Sequence, residues 1–491
     1  MAAPGIYKER HGASFDPKSS LRSAVRTEDI DREEDIVQTE TIAAVATAQG
    51  QGGIGVIRVS GPESIEIVEK IFKSETGKKL RDTTGYRARY GKIFDGEEEL
   101  DEVVVLIFRA PHSYTGENVV EISCHGGLYI TKRILRLVFE SGARPAEPGE
   151  FTRRAFLNGK IDLIKAESVM KLIGATGKNS ARAAISVIDG AVSKKIEAVK
   201  NELIGLSARL SVWSDYPDDE TIDIDFNSIE EILNRTSEQL NFLKKNYDSG
   251  KILINGVDTV IIGAPNVGKS TLMNALSGVE RSIVTEIPGT TRDIVEEVVT
   301  LGGLTLNISD TAGIRKTDDI VEAIGVKRAK DRIKSAELVL FVLDGTKNLE
   351  QDEVELINSI KENKVIAIIN KCDLKQQLDR VFLAKLVDNV VEISAKDGIG
   401  LENLEKSILK VVQADKVEPS EGILVSERQF LTVKRAISSL EEAKNAMNLG
   451  LTLDAVTVSI NDALDALFEL TGEKATQVVV DEIFSKFCVG K

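Results

Sequence analysis

The chain is poor in the residues that build disulfide scaffolds and transition-metal centres. Its three cysteines, Cys124, Cys372 and Cys488, lie far apart without metal-ligand spacing. They imply a reduced protein without disulfides or a zinc site. Three histidines, at positions 11, 112 and 125, are too few and too scattered for a histidine-rich metal enzyme. No apolar run reaches the ~18–20 residues that cross a bilayer. Together these absences give a cytoplasmic expectation. An excess of positive charge is missing as well: 63 Lys and Arg stand against 78 Asp and Glu, a formal net charge of −15. That balance excludes a nonspecific nucleic-acid binder, which must neutralise phosphates along its surface. It leaves room for a local basic patch, or for a partner that carries one.

What is present is a soluble globular composition, 42% hydrophobic and 29% charged, over 491 residues. Single cores rarely grow past ~250–300 residues, so more than one domain is expected. The most informative stretch is Gly263-Ala264-Pro265-Asn266-Val267-Gly268-Lys269-Ser270. The apolar run 257–262 precedes it, as in a buried parallel strand, and the helical pattern 271–276 follows. Strand, glycine turn and helix form a phosphate cradle, in which backbone N–H groups and the helix N-terminus face the phosphates. Lys269 would reach the β- and γ-phosphates and the Ser270 hydroxyl would bind Mg²⁺.

Four further elements follow in GTPase order. Gly289-Thr290-Thr291-Arg292-Asp293 can close over the γ-phosphate and the metal through Thr291. Asp310-Thr311-Ala312-Gly313 ends a strand-like run, where Asp310 can hold Mg²⁺ through water. Asn370-Lys371-Cys372-Asp373 follows another buried-strand pattern, and the Asp373 carboxylate can accept from guanine N1–H and its exocyclic amine. Adenine offers no such donor pair. Ser394-Ala395-Lys396 would complete the base site. The position after Asp-x-x-Gly, a Gln in Ras-like enzymes, is Ile314, so water must be oriented from elsewhere, with Arg315, Asp318, Asp319 and Glu322 as nearby polar groups.

Residues 1–38 are sparse in apolar residues and rich in charge, and a disordered extension is expected there. Strands over 41–47, 53–59, 103–108 and 119–123, with a helix over 62–72, give an α/β module at 39–150. At Cys124-His125-Gly126-Gly127 no third catalytic partner is visible, and a packed strand end is the expectation. Residues 151–255 read as helices, interrupted by a solvated turn around 215–219. The G domain takes 256–416, and 417–491 returns to helices whose stripes (Ala436, Leu440, Ala443, Met447; Ala463, Leu464, Leu467, Leu470) suit a core. The fold class expected is therefore multidomain α/β plus α: an N-terminal α/β domain, a discontinuous helical domain, and an inserted Ras-like P-loop G domain with a mostly parallel sheet.

The chain resembles the MnmE (TrmE) family of tRNA-modifying GTPases over roughly residues 40–491. The resemblance is carried by 41–47, Val56-Ile57-Arg58-Val59-Ser60-Gly61, Pro148-Gly149-Glu150-Phe151-Thr152, 154–160, the inserted G domain and the closing Phe487-Cys488-Val489-Gly490-Lys491. It implies a folate-binding, dimerising N-terminal domain, with Arg58, Glu121, Lys160 and Lys491 as contacts to a 5-formyl- or 5,10-methylene-tetrahydrofolate. It implies K⁺ activation, with Asn266 and the carbonyls of Thr285, Ile287 and Thr290 as ligands, and Glu322 as the catalytic glutamate. The implied nucleotide contacts run over Asn266 to Thr271, Thr285, Thr290, Thr291, 310–313, Asn370, Lys371, Asp373 and 394–396. The implied reaction builds a carboxymethylaminomethyl-type group on C5 of wobble uridine (U34) of certain tRNAs, with a flavin-dependent MnmG/GidA-type partner. The implied assembly is a homodimer, or a heterotetramer with that partner. Gln51, where some members carry Arg, and Lys316, where an acid is common, depart from the pattern. The alternative is a GTP-switch factor for RNA or ribosome assembly. Such factors carry a second G domain or a Lys/Arg-rich tail, and this chain has neither pattern.

Overall fold

A computed structural model describes residues 40–48, 50–215, 225–277, 297–310, 332–413, 418 and 421–490. The expected extension at 1–38 and the core of the 215–219 turn lie outside them. The described chain forms two compact units: one reaches Lys160 and includes Val489 and Gly490, and the other is Ile161–Cys488.

The first unit is a seven-stranded sheet of β1 (Ile42–Val45), β2 (Ile54–Ser60), β3 (Phe72–Ser74), β4 (Arg87–Asp95), β5 (Glu98–Phe108), β6 (Val119–His125) and β7 (Arg144–Pro145), in the order β3-β4-β5-β6-β2-β1-β7. Alternation decides its faces. Ile57, Val59, Val105, Ile107, Val120 and Ile122 point to one side, where α1 (Ser64–Ile71) and α2 (Leu128–Glu140) cover them. The other side carries Val104, Tyr90, Ser123, Glu121 and Arg58, with Tyr90 and Val104 exposed. Sequence patterning missed β4, whose Arg-Ala-Arg-Tyr-Gly start is too polar to announce a strand. Its Gly91 is obligatory in physical terms: a Cβ there would lie 2.2 Å from the Lys73 carbonyl. Helix α3 (Glu150–Leu157) also belongs to this unit, beyond the boundary expected at 150. Its Arg154 is buried and pairs with Glu150 and Glu117.

In the second unit α4 (Leu163–Ile173), α5 (Lys178–Ile188), α6 (Ala191–Asp215), α7 (Phe226–Lys245) and α8 (Tyr247–Asn255) share one apolar core with α13 (Glu427–Asn448) and α14 (Leu453–Thr471). Ala436, Leu440, Ala443, Ala463 and Leu467 are fully buried, as their spacing predicts. Polar ties cross between the two sequence-distant halves: Ser207 Oγ to Asn461 Oδ1 at 2.7 Å, and Arg428 Nε to Glu167 Oε1 at 3.0 Å. Buried Lys200 joins Glu473 in the same way.

Between the halves lies a six-stranded sheet of β8 (Val257–Ile262), β9 (Glu297–Leu301), β10 (Leu304–Asp310), β11 (Leu338–Asp344), β12 (Val365–Asn370) and β13 (Val390–Glu392), ordered β13-β12-β11-β8-β10-β9. Only β9–β10 is antiparallel. Helices cover both faces, among them α10 (Gln351–Ser359), α11 (Arg380–Leu386) and α12 (Leu401–Val412), so β11 reads as an unbroken apolar run rather than an alternation. The chain enters and leaves this sheet at neighbouring points. Tyr247 stacks on Phe430 with centroids 4.4 Å apart, and a Cβ on Gly250 would lie 1.8 Å from Ile423 Cγ2. Closely spaced ends are what an inserted domain requires.

Candidate nucleotide and N-terminal sites

β8 ends in the loop 263–268, and α9 (Lys269–Ser277) begins directly after it. Three backbone conformations shape the loop. Gly263 has φ +149° and no room for a side chain, since a Cβ would lie 2.2 Å from the Val342 carbonyl. Asn266 adopts left-handed φ 64°, and Gly268 has φ +101° with Asn370 Nδ2 2.3 Å from where a Cβ would stand. Lys269 arches back across the loop, its Nζ donating to the carbonyls of Gly263 and Ala264 at 2.9 Å each. The amine thus faces the cradle that phosphate oxygens would enter, and the loop fits that group. Ser270 and Thr271, at the start of α9, are exposed.

Parallel pairing sets the base side against the phosphate side. Asp344 of β11 is in register with Asn370 of β12. Buried Asn370 donates from Nδ2 to the Val267 carbonyl at 2.8 Å and accepts at Oδ1 from the Ala395 N–H at 3.0 Å. One side chain therefore fastens the phosphate loop to the loop 394–397. That loop is closed by Ser394 Oγ donating to Asp397 Oδ2 at 2.9 Å and by mutual backbone bonds with Ile399. Lys371, at φ 65°, donates to the Asn266 carbonyl at 3.1 Å and to Asp344 Oδ2 at 2.6 Å. Asp373 and Lys396 stand exposed at the rim, where the Asp373 carboxylate is free to meet a base edge.

The structure thus brings together Asn266 to Thr271, Asn370, Lys371, Asp373 and Ser394 to Lys396. Asp310 ends β10, paired with Ile261 through the backbone. Thr285, Ile287, Thr290, Thr291, Thr311, Ala312, Gly313 and Glu322 lie outside the described residues. Asp344 is what sequence reasoning missed. The available signal was positional: the apolar run of β11 ends on a carboxylate, as that of β12 ends on the motif residue Asn370, at the same level. Burial opposes its charge, but donors from Lys371 and Thr346 outweigh it and hold the carboxyl below its ordinary value.

In the first unit Arg58 and Glu121 are direct cross-strand partners, with Nε to Oε1 at 2.9 Å and Nη2 to Oε1 at 2.8 Å. The guanidinium lies 5.7 Å from the Tyr114 ring centroid and 5.6 Å from that of Phe151. Lys160 Nζ donates to the Pro111 carbonyl at 3.0 Å, against the loop that carries Tyr114. Arg58 and Glu121 therefore satisfy each other, and a ligand must share or replace that pair. Val489 bridges to Pro148, and Gly490 at φ +98° abuts the Val45 carbonyl. These contacts bring Val489 and Gly490 into this unit, and Lys491 lies outside the described residues. Cys124 is buried, its thiol donates to the Gly55 carbonyl at 3.4 Å, and burial raises its pKa to about 11. His125 turns to the opposite face, Nδ1 lying 2.6 Å from Asp101 Oδ1, a hydrogen bond that holds the imidazole above its ordinary pKa. The two neighbours cannot act as a pair.

A buried parallel sheet, a glycine-bent loop at a helix N-terminus, and an Asn bridging that loop to the base-side loop define a P-loop nucleotide-binding domain set into a helical domain. Known proteins agree. Residues 41–160 match the family model described as the GTP-binding protein TrmE N-terminus, and 163–488 match the MnmE helical domain. The tRNA modification GTPase MnmE of Alkaliphilus metalliredigens is 42% identical over 92% of this chain and 99% of its own length. That of Acetivibrio thermocellus is also 42% identical, with the same shares covered. Among solved structures, the G domain of the T. maritima FeoB iron transporter is 31% identical, with a TM-score of 0.26 over 32% of this chain and 99% of that one. The chain belongs to the MnmE (TrmE) family of tRNA modification GTPases. Among the described residues, no helix is long and apolar enough to cross a membrane.

Proposed function

We propose that this protein hydrolyses GTP in the cytoplasm to drive modification of tRNA wobble uridine. With a flavin-dependent MnmG/GidA-type partner, it adds a carboxymethylaminomethyl-type group at C5 of U34. The observation that carries the nucleotide part is the Asn370 bridge, which fixes the phosphate loop and the 394–397 loop in one geometry. A site in which both ends of a nucleotide meet a pre-set surface loses little ordering entropy on binding.

In this reading Lys269 exchanges its two carbonyl acceptors for phosphate oxygens, and Ser270, with Thr291, supplies hydroxyls to Mg²⁺. Asp310 holds the metal's water, and Asp373 selects guanine. Asn266, with the carbonyls of Thr285, Ile287 and Thr290, takes K⁺. When bound, the two cations offset charge that builds on the phosphates at the transition state. Glu322 orients the attacking water in place of the Gln that Ile314 replaces. The exposed Asn266 side chain, carried on a left-handed residue, is consistent with a cation ligand.

For the first unit the reading is a tetrahydrofolate derivative held by Arg58, Glu121, Lys160 and Lys491, in a homodimer joined through this unit. The open sheet face bearing Tyr90 and Val104 supports the dimer, because exposed apolar patches favour association. Asp373→Asn should shift nucleotide preference from guanine toward xanthine, whose C2 carbonyl accepts where guanine donates. ATP competing with GTP on equal terms in the unmodified protein would exclude the base assignment. Mass analysis of wobble uridines in cells lacking the protein tests the tRNA part, and an unchanged U34 profile would refute it.

A further inference from the structure

We propose that Asp344 is a positioning residue of the nucleotide site, acting through Lys371 on both the base side and the phosphate loop. The inference rests on the reading of 263–270 and 370–373 as the nucleotide site, and it adds a residue outside every motif of that site.

Three donors converge on this carboxylate. Oδ1 accepts from the Thr346 N–H at 3.0 Å and the Thr346 hydroxyl at 2.7 Å, and Oδ2 accepts from Lys371 Nζ at 2.6 Å. The Asp344 side chain is 10% exposed and that of Lys371 is 32% exposed, so the pair is shielded well beyond an ordinary surface ion pair. Thr346 clamps one oxygen, which aims the other. The aimed oxygen holds the amine where it also reaches the Asn266 carbonyl, 3.1 Å away. Lys371 is left-handed, and its flexible four-carbon stem would otherwise sample many rotamers. Asp344 removes that freedom before a nucleotide arrives. Through the amine it also braces the left-handed bend at Asn266. A short path thus runs from a strand end, through the base-side lysine, to the phosphate loop.

Only a carboxylate can serve all three donors. An amide at 344 has one acceptor oxygen, so either the Thr346 N–H or the Lys371 amine loses its partner whichever way the amide is turned. Asp344→Asn is close to isosteric, yet it should behave much like Asp344→Ala.

The test measures affinity and dissociation rate of a fluorescent GDP analogue on the full chain. The proteins are wild type, D344A, D344N, K371A and the D344A/K371A double variant, each with a thermal melt to establish folding. Both Asp344 variants should weaken GDP binding roughly 10- to 30-fold, mostly through faster dissociation, as loss of a charge-assisted hydrogen bond implies. In the K371A background D344A should add less than about two-fold, because the carboxylate acts through the amine. Full additivity in the double variant would assign Asp344 an independent structural role and overturn the proposal. So would wild-type GDP affinity in folded D344N. A wild-type chain that binds no GDP would instead overturn the nucleotide reading, and this inference with it.

Discussion

Asn370→Ala isolates the joint between the two loops of the nucleotide site. The substitution removes one donor and one acceptor from a side chain only 3% exposed. The Val267 carbonyl and the Ala395 N–H lose their partners at 2.8 and 3.0 Å, in residues that are themselves buried. Each buried polar group left unpaired costs about 1–3 kcal/mol, so the pair is worth ~2–6 kcal/mol. Without nucleotide, the loops can relax toward water and recover part of that cost. Binding must then reorder them, so roughly half should appear as lost affinity, ~1–3 kcal/mol, or about 5- to 150-fold in Kd. Asn370→Asp makes a sharper probe. Its carboxylate keeps an acceptor for the Ala395 N–H but sets a second oxygen against the Val267 carbonyl, so it should be at least as damaging. GDP titration and urea unfolding, with and without GDP, separate the two shares. A variant within two-fold of wild type in Kd, with an unchanged urea midpoint, would refute the reasoning.

K⁺ should accelerate GTP turnover over Na⁺ by ~10²–10³-fold, the scale of losing one transition-state donor; equal rates in KCl and NaCl would remove the cation site. Glu322→Ala should lower kcat strongly with GTP affinity little changed, since its interaction belongs to the transition state, whereas normal hydrolysis in K⁺ would move attention to Arg315. Gly490→Ala places a Cβ 2.3 Å from the Val45 carbonyl on a left-handed residue, so it should displace the chain end and weaken folate binding roughly 10-fold, measured by calorimetry with 5-formyl-tetrahydrofolate. Burial raises the Cys124 thiol from 9.0 to about 11, so the folded state holds this proton more tightly than the unfolded one. The stabilisation is fully present below about pH 9 and is lost as pH rises toward 11; Cys124→Ala should flatten that part of the urea-stability profile. Asp101→Asn should lower the His125 pKa, because the Asp101 hydrogen bond is the main cause of its elevation, and an NMR titration that shows no change would contradict this.

The sequence alone determined the class of the central domain. A phosphate cradle must be built from glycine, lysine and serine in one contiguous turn between strand and helix, so residues 263–270 carry their chemistry locally. The helical stripes were legible for the same reason: Ala436, Leu440 and Ala443 recur at the period of the element they bury. Tertiary structure decided what depends on neighbours distant in the chain. Polar β4 becomes a strand because β3 and β5 supply its hydrogen bonds on either side. Helix α3 joins the first unit because buried Arg154 finds Glu117 there, 37 positions away. Asp344 meets Lys371 only because parallel pairing sets the ends of β11 and β12 level. The folate candidates Arg58 and Glu121 turn out to bond each other across two strands, which no local pattern expresses. A local motif fixes its geometry with backbone conformation that its own residues prefer. A pairing between strands is set by the register of the whole sheet.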